Sequence, residues 1–164
     1  MADKPILEQT FNEGLDPSKY VKDGWISSRL FIEVQSNDAA AAESALKRVV
    51  FDGLAAEKSA KLLYAKLYDI KKDKGEGKAS DVFSGVVEVK LLVRDFRWFV
   101  SIVMRYGPSA IEITEPEKVT LTLDEMQSLL ADVSEFAQSY SSKILAMLKD
   151  DERKKLYETM FSEK

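Results

Sequence analysis

Apolar and polar positions along the chain switch between two periods. In Ser27 to Gln35, SSRLFIEVQ, side chains alternate: Leu30, Ile32 and Val34 fall on one side, Arg29, Phe31, Glu33 and Gln35 on the other. Period two marks a strand with one face buried. SND follows, offering Ser36 or Asn37 as a helix N-cap. AAAAESALKRVVFDGLAAE then changes to helical spacing, with Ala42, Ala45 or Leu46, Val49, Val50 and Leu54 in a stripe. Its alanine run favours helix and permits close approach to a sheet. Period two returns in KLLYAKLYDI, Lys61 to Ile70, where Leu63, Ala65 and Leu67 share one face. Leu62, Tyr64, Lys66 and Tyr68 share the other. The glycine-punctuated loop KKDKGEGKAS joins this strand to VFSGVVEVKLLV as an antiparallel pair. Val87, Val89 and Leu91 are expected to face the core there, and Val86, Glu88 and Lys90 to face out.

RDFRWFVSIVMRYGPSAIEITEP, Arg94 to Pro116, resolves the same way. Asp95 caps a helix whose stripe is Phe96, Phe99, Val100, Val103 and Met104, with Arg94, Arg97 and Arg105 off it. That stripe is expected against Leu30, Ile32, Val87 and Val89. Gly107 suits the residue after the last turn, and Pro108 forbids continuation. SAIEIT is a short strand with Ala110 opposite in phase to Ile111 and Ile113, and Pro116 ends it. KVTL offers a further extended piece. Two β-α-β runs in succession predict an α+β fold of the ferredoxin-like βαββαβ kind, an antiparallel sheet with two helices on one face.

Thr122 and Glu125 then stand at capping-box spacing. A long helix follows, its stripe running through Met126, Leu129, Leu130, Val133, Phe136, Ala137, Tyr140, Ile144 and Leu148. KDDERKKLYETMFSEK reads as a shorter helix with Leu156, Met160 and Phe161 on one side. Residues 1–26 read as an N-terminal arm rich in turn residues, either laid on the domain with Trp25 and Tyr20 as anchors or left as a partly disordered leader. The expected organisation is arm 1–26, ferredoxin-like domain 27–121 and helical extension 122–164, the last packed on the domain or in a dimer interface.

Composition narrows the chemistry more than it suggests any. The 164 residues contain no cysteine and no histidine. Thiol catalysis, thiolate metal sites and histidine acid–base or triad chemistry are excluded. With 45% hydrophobic residues the chain can build a core without staples. A net charge of −4 disfavours nucleic acid and anionic membranes as partners. No apolar run is long enough to span a bilayer, and the N-terminus is not a signal peptide, so the expected setting is the cytoplasm.

Four candidate sites remain. Gly75, Gly77 and Lys78 in the hairpin loop suggest a phosphate cradle but lack the P-loop spacing. Asp150, Asp151 and Glu152 suggest a hard-cation site without EF-hand spacing. Phe31, Tyr64 and Tyr68, with Arg29, Lys66 and Lys90 near, would form a single-strand RNA platform if the sheet's outer face is open. No RNP1 pattern accompanies them, and their packing beneath the C-terminal helix is the plainer expectation. Met126, Leu130, Val133, Tyr140, Ile144 and Leu148 form the fourth, a candidate interface.

Residues 94–140 also resemble the C-terminal extension of WYL-domain transcriptional regulators. The resemblance rests on Gly107, Pro108, Ala110, Ile113 and Pro116, a helix ending in Gly-Pro followed by a short strand closed by proline. It implies a small domain tied to ligand sensing or oligomer contacts, and it transfers no binding residue. The leading expectation is a non-enzymatic protein acting by self-association as a homodimer, with a protein or small-molecule partner and a regulatory role. No cofactor and no resident metal are expected. The alternatives are single-stranded RNA binding on the sheet and a metal-dependent enzyme built without histidine or cysteine.

Overall fold

The computed structural model describes residues 4–73 and 81–162, so the Gly75, Gly77 and Lys78 cradle lies outside the described residues. The chain divides into two compact units, Met1–Thr120 and Leu121–Lys164.

The first unit is α+β. Its strands are β1 (Leu7–Thr10), β2 (Ile26–Ser36), β3 (Ala60–Leu67), β4 (Lys71–Asp73), β5 (Val82–Val93) and β6 (Ala110–Glu115). Its helices are α1 (Pro17–Lys22), α2 (Ala39–Arg48) and α3 (Phe96–Tyr106). The sheet runs β1-β3-β5-β2-β6, with β4 paired to β5, and every ladder is antiparallel. The two long strands β2 and β5 stay in register from Ile26↔Val93 to Ser36↔Phe83. Two connections cross over rather than turn back. α2 leads from β2 to β3 past β5, and α3 leads from β5 to β6 past β2.

Alternation decides the core. Ile26, Leu30 and Ile32 on β2 and Val87, Val89, Leu91 and Val93 on β5 enter one buried cluster. The helices complete it with Leu46, Val50, Leu54, Phe99 and Ile102. Buried positions Ala42, Leu46, Val50 and Leu54 step by four. On an α-helix that stripe would drift by about 40° per step. Here α2 widens into a π-helical turn, Val49–Gly53, and closes as a 3₁₀ turn, Leu54–Ala56, instead of one long helix. Gly85 leaves room for the helix side, since a Cβ there would sit 2.8 Å from Leu46 Cδ1 and closer still to Ile70, and the ends of those side chains would have to shift.

Several local expectations change in register. The cap of α2 is Asp38, not Ser36 or Asn37. Its side chain accepts from Ala41 N–H, while Ser36 Oγ accepts from Asp38 N–H. In β3 the buried residue is Leu62, not Leu63, because the register with β5 shifts between Leu62 and Tyr64. That bulge sets Ala60 and Leu62 on the same side as Ala65 and Leu67. β3 also ends at Leu67, so Tyr68 to Ile70 lie outside the strand. On α3 the fully buried pair is Phe99 and Ile102. Phe96 and Val103 pack half-buried beside them, and Arg94, Arg97 and Arg105 are exposed. Asp95 caps α3 through Trp98 N–H, and Gly107 ends it with φ +54°.

The N-terminal arm contributes structure that no periodicity announced. β1 extends the sheet by pairing with β3, from Leu7↔Leu67 to Thr10↔Tyr64. Asp16 caps α1, and Tyr20 meets Trp25 edge to face at 5.0 Å.

The second unit is helical. α4 (Leu123–Met147) opens on a complete capping box: Thr122 accepts from Glu125 N–H, and Glu125 accepts from Thr122 N–H. α5 (Asp150–Ser162) follows after a break at Leu148, whose backbone is extended. Leu148 therefore stands past the helix end rather than on its stripe. Arg153 Nε donates to the carbonyls of Leu145 and Leu148 at 2.8 and 3.1 Å, closing the C-terminus of α4 with a positive charge. Asp150 pairs with Arg153, and Glu152 accepts from Lys149 N–H. The acidic run Asp150, Asp151 and Glu152 is thus the capped first turn of α5. Among the described residues no group of three acidic side chains is arranged to hold a metal ion.

Candidate functional site

The face of the sheet opposite the core collects six residues singled out from the sequence, Lys90 among them. Cross-strand register sets Arg29 beside Lys90 and Glu112, Phe31 beside Glu88, Tyr64 beside Lys90, and Lys66 beside Glu88. Tyr68 joins through its side chain. Tyr64 and Tyr68 donate their hydroxyls to the two oxygens of Glu88, at 2.8 and 2.6 Å. Arg29 Nη1 lies 3.6 Å from Glu88 Oε1, and Arg29 Nε donates to Glu112 at 2.8 Å. Lys66 Nζ lies 3.3 Å from Glu8 and 4.9 Å from the centre of the Tyr64 ring. Phe31 lies half-buried on this face without a polar role.

Glu88 is the centre that periodicity assigned simply to the outward side. It does face away from the core, yet it is only 6% exposed. Burial pushes its carboxyl up, but hydrogen bonds from Tyr68 and Tyr64 and the charges of Arg29 and Lys66 outweigh that, leaving it below the ordinary value. The tyrosines respond in the opposite sense. Tyr64 is pushed up to about 12, by burial and then by its bond to Glu88. Tyr68 is pushed up to about 12, by its bond to Glu88 and then by burial. Both hydroxyls therefore stay protonated near neutral pH as donors to a fixed carboxylate, and neither is poised as a base. The signal that would have found Glu88 is its place across the hairpin from two tyrosines in the same phase.

This face is internally matched. Glu8, Glu88 and Glu112 interleave with Arg29 and Lys66, so little charge remains to attract a polyanion. Leu92, in phase with Glu88 and Lys90, is fully buried although it lies outside the core cluster. A separate apolar cavity of about 10 Å³, room for about one water, opens between Leu7, Leu46, Val50, Phe51 and Leu67. Lys47 on its lining is paired with Glu43 at 2.7 Å, and no carboxylate lines it.

The helical unit presents the other candidate surface. Among the described residues of α4 none is buried. Met126, Leu130, Val133, Tyr140 and Ile144 are all exposed, Leu130 at 69% and Tyr140 at 60%. Phe136 and Tyr140 stack at 6.1 Å along the same side. Leu148, the sixth residue of the expected interface, is half-buried at the break. No helix among the described residues is long and apolar enough to cross a membrane.

A family model matches residues 27–160, a stretch that holds Glu88 with Arg29, Tyr64 and Tyr68 and all of α4. The chain belongs to the MJ0538 family. No curated protein and no solved structure matches it. Within this MJ0538-family member, the matched stretch starts at the head of β2 and leaves β1 and α1 outside.

Proposed function

We propose that this MJ0538-family chain acts by association rather than catalysis: α4 joins two copies, and the α+β unit is the body that the joint displays. The observation that carries this reading is the exposed apolar stripe of α4. Large apolar side chains gain about 1.5–3 kcal/mol each on full burial, so several turns of them favour a partner surface. The α+β unit is read as a ferredoxin-like domain, supported by its two crossovers, each of which passes one strand of the other β-α-β run. A cytoplasmic regulatory role fits the acidic composition and the resemblance of residues 94–140 to WYL-protein extensions. The cavity lined without acids, and a Glu88 cluster whose hydroxyls are held as donors, support a non-enzymatic protein.

Light scattering at tens of micromolar tests the proposal. The parent is expected as a dimer, and Leu130→Asp with Ile144→Asp as a monomer. A monomeric parent overturns it. Phe31, Tyr64 and Tyr68 on one face favour RNA binding as a second reading, against which stand the interleaved carboxylates. Titration of a labelled polynucleotide at two salt concentrations separates the two, because tight binding that weakens steeply with salt would favour the RNA reading.

A further inference from the structure

We propose that the two α4 helices pair antiparallel as a left-handed coiled coil, an inference that rests on the self-association reading and specifies its partner, a second copy, and its geometry. From Leu123 to Met147 the seam positions fall at alternating steps of three and four without interruption. That is the a/d heptad repeat, sustained over about three and a half heptads, and it is the sequence condition for two helices to supercoil. Within the helical unit each seam position is exposed, up to 84% at Met147.

Side-chain sizes choose the direction. In an antiparallel pair centred near Glu135, Leu123 meets Met147, Met126 meets Ile144, Leu130 meets Tyr140 and Val133 meets Ala137 across the seam. Small residues then fall together only in the central layers. Phe136, one position before Ala137, stands beside that narrow waist in both copies, where the two rings fill the space the small residues leave. A parallel pair would instead oppose Ala137 to itself and Tyr140 to itself, leaving one layer empty and the next crowded. Charge does not set the direction. Asp124, Glu125, Asp132 and Glu135 stand at positions turned away from the seam, where water and salt screen them from the second copy in either arrangement. The positions flanking the seam are Gln127, Ser134 and Ser141 on one side and Leu129, Phe136 and Lys143 on the other, and they include no acid.

The absence of native cysteine makes the direction directly readable. Met126→Cys and Ile144→Cys variants are prepared separately, one with a short tag that separates products by mass. Each is first checked for dimerisation under reducing conditions, then the two are mixed and gently oxidised. The expected result is a several-fold excess of the mixed disulfide-linked dimer over either self-linked dimer. The pair Leu130→Cys and Tyr140→Cys repeats the test at another layer if a first variant fails to fold. Self-linked dimers in excess would show parallel pairing and overturn the inference while leaving self-association standing. Dimers by light scattering that cross-link in neither way, or in all ways equally, would place the interface elsewhere and overturn it too. A monomeric parent would overturn both the inference and the self-association on which it rests.

Discussion

α3 and α4 begin alike and end differently. Both carry an apolar stripe, and both are capped by a side chain that accepts from the backbone three residues on, Asp95 for α3 and Thr122 for α4. The stripe of α3 is satisfied within its own unit, with Phe99 3% exposed against the sheet. The stripe of α4, more than twice as long, buries none of its described residues. Amphipathic spacing therefore says that a helix needs an apolar surface and leaves open whose surface it is. The step pattern carries the finer distinction. α3 pairs its apolar face with a sheet, whereas α4 repeats its apolar positions at alternating steps of three and four, with Leu129 and Phe136 beside them, the spacing of a helix that packs on helices.

The largest expected effect is on the α3 side of that contrast. Phe99→Ala should cost about 3–5 kcal/mol in a urea melt, because a core aromatic leaves a cavity that surrounding strands cannot close. A loss under about 0.5 kcal/mol would put α3 in the same class as α4. Next comes the matched face of the sheet. Glu88→Gln should cost about 1–3 kcal/mol, since two tyrosine hydroxyls and Arg29 lose a charged acceptor. The same face sets a pH window. Tyr64 and Tyr68 titrate near 12 when folded, against 10.0 ordinarily, so their contribution is intact below 10.0 and is lost as pH rises toward 12. The folded Glu88 carboxyl sits below its ordinary value, so its contribution is present above that value and lost as pH falls through the folded one. Following tyrosinate absorbance checks this, and Glu88→Gln should bring both tyrosines to lower pH. If the variant leaves the tyrosine titration unchanged, the hydroxyls do not depend on Glu88. The smallest effect belongs to the capping box. Thr122→Ala should reduce the stability of α4 by about 1 kcal/mol, read as lower helicity in dilute samples. If α4 pairs with a second copy as proposed, the effect should shrink as concentration rises.

Residue pattern made much of both units legible. The strand Val82–Val93, the helix Phe96–Tyr106 between Asp95 and Gly107, and the capped start of α4 all follow from local period, cap and turn chemistry. Much of the sheet-face cluster was legible too, because strand phase assigns Arg29, Phe31, Tyr64 and Lys66 to outward positions, whereas Tyr68, just past the end of β3, joins through its bond to Glu88. Its centre was not, since Glu88 becomes buried through partners on other strands.

What the sequence determined by itself is therefore what depends on neighbours a few residues away: helix or strand, the caps of α3 and α4, and which side chains share a face along an unbroken strand. Tertiary structure alone decided the rest. β1 pairs with β3 through backbone groups, and LEQT has no apolar alternation to announce it. The bulge at Leu63 turns Leu62 inward because β3 must stay in register with β5 on both sides of it. The π-helical turn after Arg48 follows from a four-residue stripe that has to meet one sheet surface. Each depends on groups brought together from distant parts of the chain, and a local period carries no record of them.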